Sequence, residues 1–362
     1  MGGLSLGAHE DEGEYLRVRP DWLAQHVEAV IEPDLPIVDP HHHVWDAPGW
    51  RYMFPDLVED LKSGHNITAT IFLQCYSMYR KLGPKEWKSL GETEFANGVA
   101  AMAASGAYGK TRVCEGIVGN VNLALGKRAG DVLAKHVEVT SGRFKGIREI
   151  TTYDPEEAVQ PRERAPRRGQ LQNTEFLEGF ACLAPLGLTF DAWAFHTQLD
   201  EIVELARKFP GTGIIMNHTG GPIGVGRFAG KRDEVFADWR AGIGRLASCP
   251  NVTMKLGGLG MRISGFGFHK RALPPSSEEL AAAWKPYIET CVEVFGPSRC
   301  MFESNFPVDK GSYSYGVFWN ACKRLAAGCS ASEKAELFSG TATRVYRLPS
   351  ETEAVAPAVK TA

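Results

Sequence analysis

The chain has 362 residues, 44% of them hydrophobic and 23% charged, with a formal net charge of −3 at pH 7. That balance is that of a globular protein and excludes a disordered or fibrous one. Neither sign of charge is in large excess and the Lys and Arg residues are spread along the chain, which argues against a nucleic-acid or membrane-surface partner.

In chain order, the first residues run into His9-Glu10-Asp11-Glu12-Gly13-Glu14, without the basic start and apolar core of a secretory signal. No run approaches the roughly 20 apolar residues needed to cross a bilayer. The eight cysteines form no C-x-x-C pair, a usage that fits reduced thiols better than a disulfide framework. A cytoplasmic location and a homo-oligomer are expected. Residues 1–36 read as an N-terminal extension with a short helix over 21–31. Strand-like runs then follow at 37–39, 67–75, 113–121, 144–151, 188–193, 213–218, 251–256 and 299–305. Between them lie amphipathic stretches at 92–105, 130–139, 174–184, 197–209, 232–247 and 277–295, with a last one at 332–346. The clearest is 197–209, where Leu199, Ile202, Val203 and Ala206 fall at i, i+3, i+4 and i+7. Eight strand-helix repeats in one domain-sized chain predict an α/β fold closed into a (β/α)₈ TIM barrel over 37–348. The connections at 154–172 and 257–275 follow strand ends and are lid candidates. The basic run at 162–168 reads as a solvated excursion, and the tail at 349–362 has little to bury and is expected to be mobile.

Asp39-Pro40-His41-His42-His43-Val44-Trp45 is the strongest local signal. On an extended segment, residues two apart share a face, so His41 and His43 point together into the barrel mouth while His42 points away. Two convergent imidazoles suit a divalent metal such as zinc, or a pair of donors for a developing oxyanion. His218 ends the sixth run ahead of Gly220-Gly221-Pro222, where the glycines let a ligand approach the backbone. His196 follows the fifth run. His9, His26, His65, His136 and His269 lack such a context and are expected at the surface. Trp45, Tyr76, Tyr79, Arg80 and Trp193 supply candidate walls of a small-molecule pocket.

The eighth run ends Glu303-Ser304-Asn305-Phe306-Pro307-Val308-Asp309. With Asp39-x-His41-x-His43, Gly146-Ile147-Arg148, Asn217-His218-x-Gly220 and Asn251-Val252-x-x-Lys255-Leu256-x-Gly258, in this order, the chain resembles the amidohydrolase-2 branch of the amidohydrolase superfamily. That branch includes sugar lactonases, pyrone-dicarboxylate lactonase and non-oxidative aromatic-acid decarboxylases. The resemblance implies a metal held by His41, His43 and His218, zinc first among the choices, or a metal-free site. It also implies that Arg148 grips a substrate carboxylate, unless Arg148 pairs with the neighbouring Glu149. One departure stands out. Relatives carry Asp where this chain has Asn305, and an amide takes no proton from water at neutral pH. His196 or Asp309 is then the expected base, and Glu303 a possible ligand or a buried ion-pair member. The expected activity is hydrolysis of a small lactone bearing a carboxylate or phenolic group. The alternatives are a non-oxidative aromatic-acid decarboxylase and a catalytically silent ligand-binding barrel.

Overall fold

The computed structural model describes residues 15–47, 50–159 and 168–349. Its strands are β1 (Ile37–His42), β2 (Trp45–Ala47), β3 (Trp50–Tyr52), β4 (Ile67–Leu73), β5 (Arg112–Gly119), β6 (Phe144–Ile150), β7 (Thr189–Trp193), β8 (Ile214–Met216), β9 (Val252–Leu256) and β10 (Cys300–Phe302). The helices are α1 (Pro20–Leu23), α2 (Phe54–Leu61), α3 (Leu90–Ala104), α4 (Ala129–Glu138), α5 (Thr174–Phe180), α6 (Leu199–Lys208), α7 (Arg232–Ala247), α8 (Ser277–Phe295), α9 (Tyr315–Leu325), α10 (Ala331–Ala335) and α11 (Thr341–Val345). Among the described residues no helix is long and apolar enough to cross a membrane.

Eight strands pair in parallel in the order β1-β4-β5-β6-β7-β8-β9-β10. The chain past β10 completes the ring: the Asn305 N–H donates to the His41 carbonyl at 3.0 Å and the His43 N–H to the Phe306 carbonyl at 2.8 Å. The result is the (β/α)₈ barrel that the alternating pattern predicts. Val38, Ala69, Ile71, Leu73, Val118, Ile215 and Met301 fill the interior together with Tyr346 and Leu348 from beyond α11. Residues on the opposite faces of the strands, such as Ile117, Ile147, Phe190 and Ile214, pack under the helices. Both faces of each strand are covered, which is why these segments read as continuous apolar runs.

Local chemistry sets the helices. α6 buries Leu199, Ile202, Val203 and Ala206 on one face, with Asp200 and Glu201 in its first turn and Arg207 and Lys208 in its last. α8 opens with a capping box between Ser276 and Glu279.

Several expectations need correction. The helix expected over 21–31 is the four-residue α1, because Glu28 accepts from Ser277 N–H and Asn320 Nδ2, holding the following segment against α8 and α9. The β2–β3 hairpin, α2 and α9 have no counterpart in the sequence reading. The last helix divides into α10, a π-helical turn at Glu336–Gly340 and α11. His65 and His136 are buried, not at the surface: His65 meets Gly316 O and Lys323 Nζ, and His136 meets the Ser89 and Thr93 hydroxyls. His9, the start of the expected extension, most of the basic run and the tail beyond Pro349 lie outside the described residues.

Inside the barrel, Lys255 on β9 donates to Asp191 on β7 at 2.8 Å, both fully buried, and Asp191 also accepts from Asn217 Nδ2 and Tyr346 Oη. Removing one partner of such a pair strands the other charge away from water. Asp191→Leu is therefore expected to lower the unfolding free energy by about 3–5 kcal/mol. A urea titration showing a loss below about 1 kcal/mol, well under the range for a broken buried pair, would contradict the account.

Candidate active site

The register of β1 shifts between Asp39 and His42. Around this irregularity His42 turns away, with Nε2 2.8 Å from Thr70 Oγ1. The His41 and His43 rings stay together, centroids 5.0 Å apart. The His218 ring lies 4.6 Å from that of His41, so imidazoles from β1 and from the end of β8 meet in one place, as the sequence pattern predicts.

Glu303 joins them. Past Phe302, Ser304 turns outward, its hydroxyl donating to Asp39 Oδ2 at 2.6 Å, and Glu303 turns inward. Its Oε1 accepts from the His218 N–H and lies 2.8 Å from His218 Nδ1. Its Oε2 faces His41 Nδ1 at 2.5 Å without the alignment of a hydrogen bond, which leaves both buried atoms unsatisfied. Burial works to raise the Glu303 carboxyl, but its contact with His218 and the nearby Lys255 ammonium together outweigh that and hold it below the usual range. Burial keeps His218 and His41 below theirs, with Lys255 adding to the effect on His41. A carboxylate thus sits among neutral imidazoles, and the ligand-capable atoms of His41, His218 and Glu303 lie within 4.8 Å of one another. His43 is fixed otherwise: its Nδ1 meets the Leu73 carbonyl at 2.8 Å and its ring stacks on Trp45. That contact makes Nδ1 the donor and leaves Nε2 as the lone-pair nitrogen.

The backbone here is specialised. His218 and Thr219 take φ of 55° and 53°, uncommon for such residues. The Glu303 bond to the His218 N–H, and the Thr219 hydroxyl between the Gly257 N–H and carbonyl, over-determine this bend. Two glycines make room for it. A Cβ on Gly257 would lie 2.6 Å from Glu303 Cγ, and one on Gly258 would lie 2.5 Å from His218 Nδ1.

Arg148 enters from β6. Its Nη1 donates to His41 Nε2 at 3.1 Å, its Nη2 to the Gln74 carbonyl, and its Nε has no partner. Glu149 does not pair with it but accepts from the Leu123 N–H and Gln170 Nε2 on the other side of the strand. Among the described residues no carboxylate forms an ion pair with this buried guanidinium.

The other sequence candidates divide. Trp193 sets its ring against His218 at 4.5 Å, while Trp45 backs His43. Tyr76 is partly exposed beside Tyr79, whose hydroxyl is buried without a partner. Arg80 is a correction: it reaches outward to pair with Glu94 at the surface and is not a pocket wall. His196 accepts from the Ile223 N–H at 3.3 Å and meets Phe228, beside an apolar cluster formed by Val159, Phe195, Ile223 and their neighbours. That cluster joins the loops after β6, β8 and β9, and Arg227 bonded to Asp154 fastens two of them. Asp309 is buried, and its oxygens receive the Gly260 N–H at 3.0 Å, the Tyr313 hydroxyl at 2.5 Å and Asn305 Nδ2 at 2.9 Å. Burial pushes its carboxyl up to about 7. With three donors already seated, Asp309 is a holder of neighbours more than the free base expected from sequence. The sequence pattern does not single out Lys255 or Glu92 as site residues; Glu92 accepts from the Cys75 and Ser77 N–H groups and shapes the loop after β4.

The family described as Amidohydrolase has a model that matches residues 38–348. An uncharacterised protein of Sinorhizobium fredii, y4mH, is 31% identical over 339 residues, 87% of this chain and 99% of that protein. An L-fucono-1,5-lactonase of Burkholderia multivorans is 30% identical over 200 residues, spanning 54% of this chain and 63% of the lactonase. Among solved structures, an amidohydrolase of Burkholderia multivorans with bound zinc aligns at TM-score 0.65 and 23% identity, covering 86% of this chain and 99% of that one. The 5-carboxyvanillate decarboxylase of Novosphingobium aromaticivorans, complexed with manganese, aligns at 0.54 and 12%, covering 90% and 99%. At these identities the two structures share the fold.

Gly258→Ala tests the packing beneath His218. The added methyl, at a φ of 69°, is expected to swing the imidazole off Glu303 and to cost about 1–3 kcal/mol of stability. A variant crystal structure with His218 unmoved, together with an unchanged denaturation midpoint, would reject it.

Proposed function

The chain belongs to the amidohydrolase family, and from that premise we propose that it hydrolyses a small lactone bearing a carboxylate. The observation that carries this reading is Arg148: a buried guanidinium beside the histidine cluster, without a carboxylate counter-ion among the described residues. An unpaired buried charge is costly, so an anionic ligand that completes a bidentate pair with Arg148 gains affinity from the protein's own deficit. The L-fucono-1,5-lactonase relatives, at 30% and 27% identity, support the choice of a cyclic ester.

A divalent cation fits the donors present. His41, His218 and Glu303 bring ligand-capable atoms within 4.8 Å of one another, Glu303 Oε2 is buried without an aligned hydrogen bond, and a cation there would take a lone pair of the His41 ring in place of the Arg148 contact. Two imidazoles and a carboxylate are a zinc-type set, so His41, His218 and Glu303 would hold the ion in preference to the three histidines expected from sequence. Bound there, it would supply Lewis acidity to the ester carbonyl and lower the pKa of a water.

The protein's own groups supply binding and proton handling. Arg148 anchors the carboxylate and sets the ester against His41. His43 is neutral, held below its usual range by burial and by nearby Arg148. With Nδ1 committed to Leu73, its Nε2 is the atom that takes a proton from the attacking water. Trp45 and Trp193 back the imidazoles and keep bulk water from them.

Arg148→Gln is expected to lower kcat/KM for a carboxylated lactone by about 10²-fold, while an uncharged lactone of the same ring size changes far less. Equal losses on both would remove Arg148 from substrate recognition. Carbon dioxide released from hydroxybenzoates, with every lactone left intact, would replace this reading by an aromatic-acid decarboxylase. Elemental analysis of protein purified without chelators is expected to find one equivalent of zinc or a similar ion, lost when His41 and Glu303 are both replaced by Ala. Protein that turns over lactones without metal would leave the side chains as the sole catalysts.

A further inference from the structure

Asn305 lies in the turn that ends the barrel's last strand, and its surroundings give the amide a definite direction. Its backbone N–H is bonded to the His41 carbonyl, its φ is 55°, and it follows the inward Glu303 and the outward Ser304 along the end of the barrel's eighth strand. Its Nδ2 donates to Asp309 Oδ1 at 2.9 Å, while its Oδ1 is buried without a partner. Asp309 is itself fastened from two other directions, by the Gly260 N–H after β9 and by the Tyr313 hydroxyl ahead of α9. A carboxylate has no proton to give, so the amide can meet ionised Asp309 through its NH₂ group alone. The carbonyl oxygen is then left as a fixed acceptor.

We propose that Asp309 is a positioning residue, which turns Asn305 so that its Oδ1 accepts a hydrogen bond from the reacting water. Residue 305 thereby keeps the acceptor that a carboxylate would offer without its charge, and the proton passes to a separate group. This rests on the lactone-hydrolase reading for its catalytic part, since it names the atom that orients the nucleophile. The direction of the amide stands independently of any substrate.

The test is a reciprocal exchange, assayed at about pH 8.5, above the value of about 7 to which burial raises Asp309, so that its carboxyl is ionised. In Asp309→Asn the group facing residue 305 can donate or accept, so the Asn305 amide is free to turn over. Its kcat is expected to fall by about 10²-fold with KM unchanged, the scale of losing one aligned hydrogen bond to a reacting group. Asn305→Asp sets two carboxylates against each other and is expected to be impaired as well. The double variant Asn305→Asp with Asp309→Asn restores a donor facing an acceptor and is expected to recover most of the lost kcat. A purely structural role of Asp309 under Tyr313 and Gly260 predicts no such recovery. A double variant no better than Asp309→Asn, or an Asp309→Asn enzyme with normal kcat, overturns the proposal. Side-chain amide NMR supplies an arm that needs no substrate. A slowly exchanging NH₂ pair, absent from Asn305→Asp, is expected in the native protein and should exchange faster in Asp309→Asn; equal exchange in both overturns the assigned direction. Native enzyme that consumes no lactone would sink the lactone-hydrolase reading while this amide signal still decides the orientation.

Discussion

Glu303 is the group on which the rest of the site depends. One buried carboxylate touches imidazoles from two strands that lie on either side of the barrel seam. It also holds the backbone of His218 in a conformation that a histidine seldom adopts. Burying that charge is tolerable because Lys255 lies 4.0 Å away and because His218 supplies donors from both its backbone and its ring. Lys255 cannot be considered apart from Asp191, nor Asp191 apart from Asn217 and Tyr346. The barrel interior is therefore apolar in one layer and an interlocked polar network in the next. The chain beyond α11 is tied to that network through the Tyr346 hydroxyl.

The eighth strand does two jobs by alternation. Its outward Ser304, with Tyr315, surrounds Asp39, whose carboxyl burial pushes up to about 6, and so sews the last strand to the first. Its inward Glu303 faces the histidine cluster, and Asn305 after it turns its amide to Asp309. Closing the barrel and building the site are the same event, since the Asn305 N–H and the His43 N–H that complete the ring belong to residues of the site. A shift of one residue in this register would exchange Glu303 for Ser304 and empty the site of its carboxylate.

Much of this was legible in the sequence, and the exceptions have physical causes. Strands covered on both faces announce themselves as apolar runs, and the spacing of His41, His43 and His218 is enough to place three imidazoles at strand ends. Short pieces did not show: the β2–β3 hairpin has three residues a side and is held by Trp45, Trp50 and Tyr15 packing together. The buried histidines His65 and His136 looked like surface residues because their partners, Lys323 and Thr93, are 258 and 43 positions away. Glu303 was visible as a residue but not as the centre of the cluster. Its role comes from strand parity just past the last residue of β10, where regular ladder pairing has already ended and single hydrogen bonds continue the barrel. Asp309 looked like a free carboxylate because its three donors come from a loop, a turn and a helix lead-in.

The neutral residue at position 305 is consistent with the charges around it. The barrel interior and its mouth bury the cations Lys255 and Arg148 together with the carboxyl groups of Asp191, Glu303 and Asp309. Lys255 is engaged by Asp191 and lies near Glu303, so Arg148 is the cation left for a ligand. A further carboxylate at 305, within hydrogen-bond reach of Asp309, would raise the cost of ionising it. An amide avoids that effect and still offers an oxygen. On the proposed reading, in which Arg148 takes an anionic substrate, the site gains by keeping its other acceptor uncharged, and Asp309, held from three sides, is what makes that acceptor point one way.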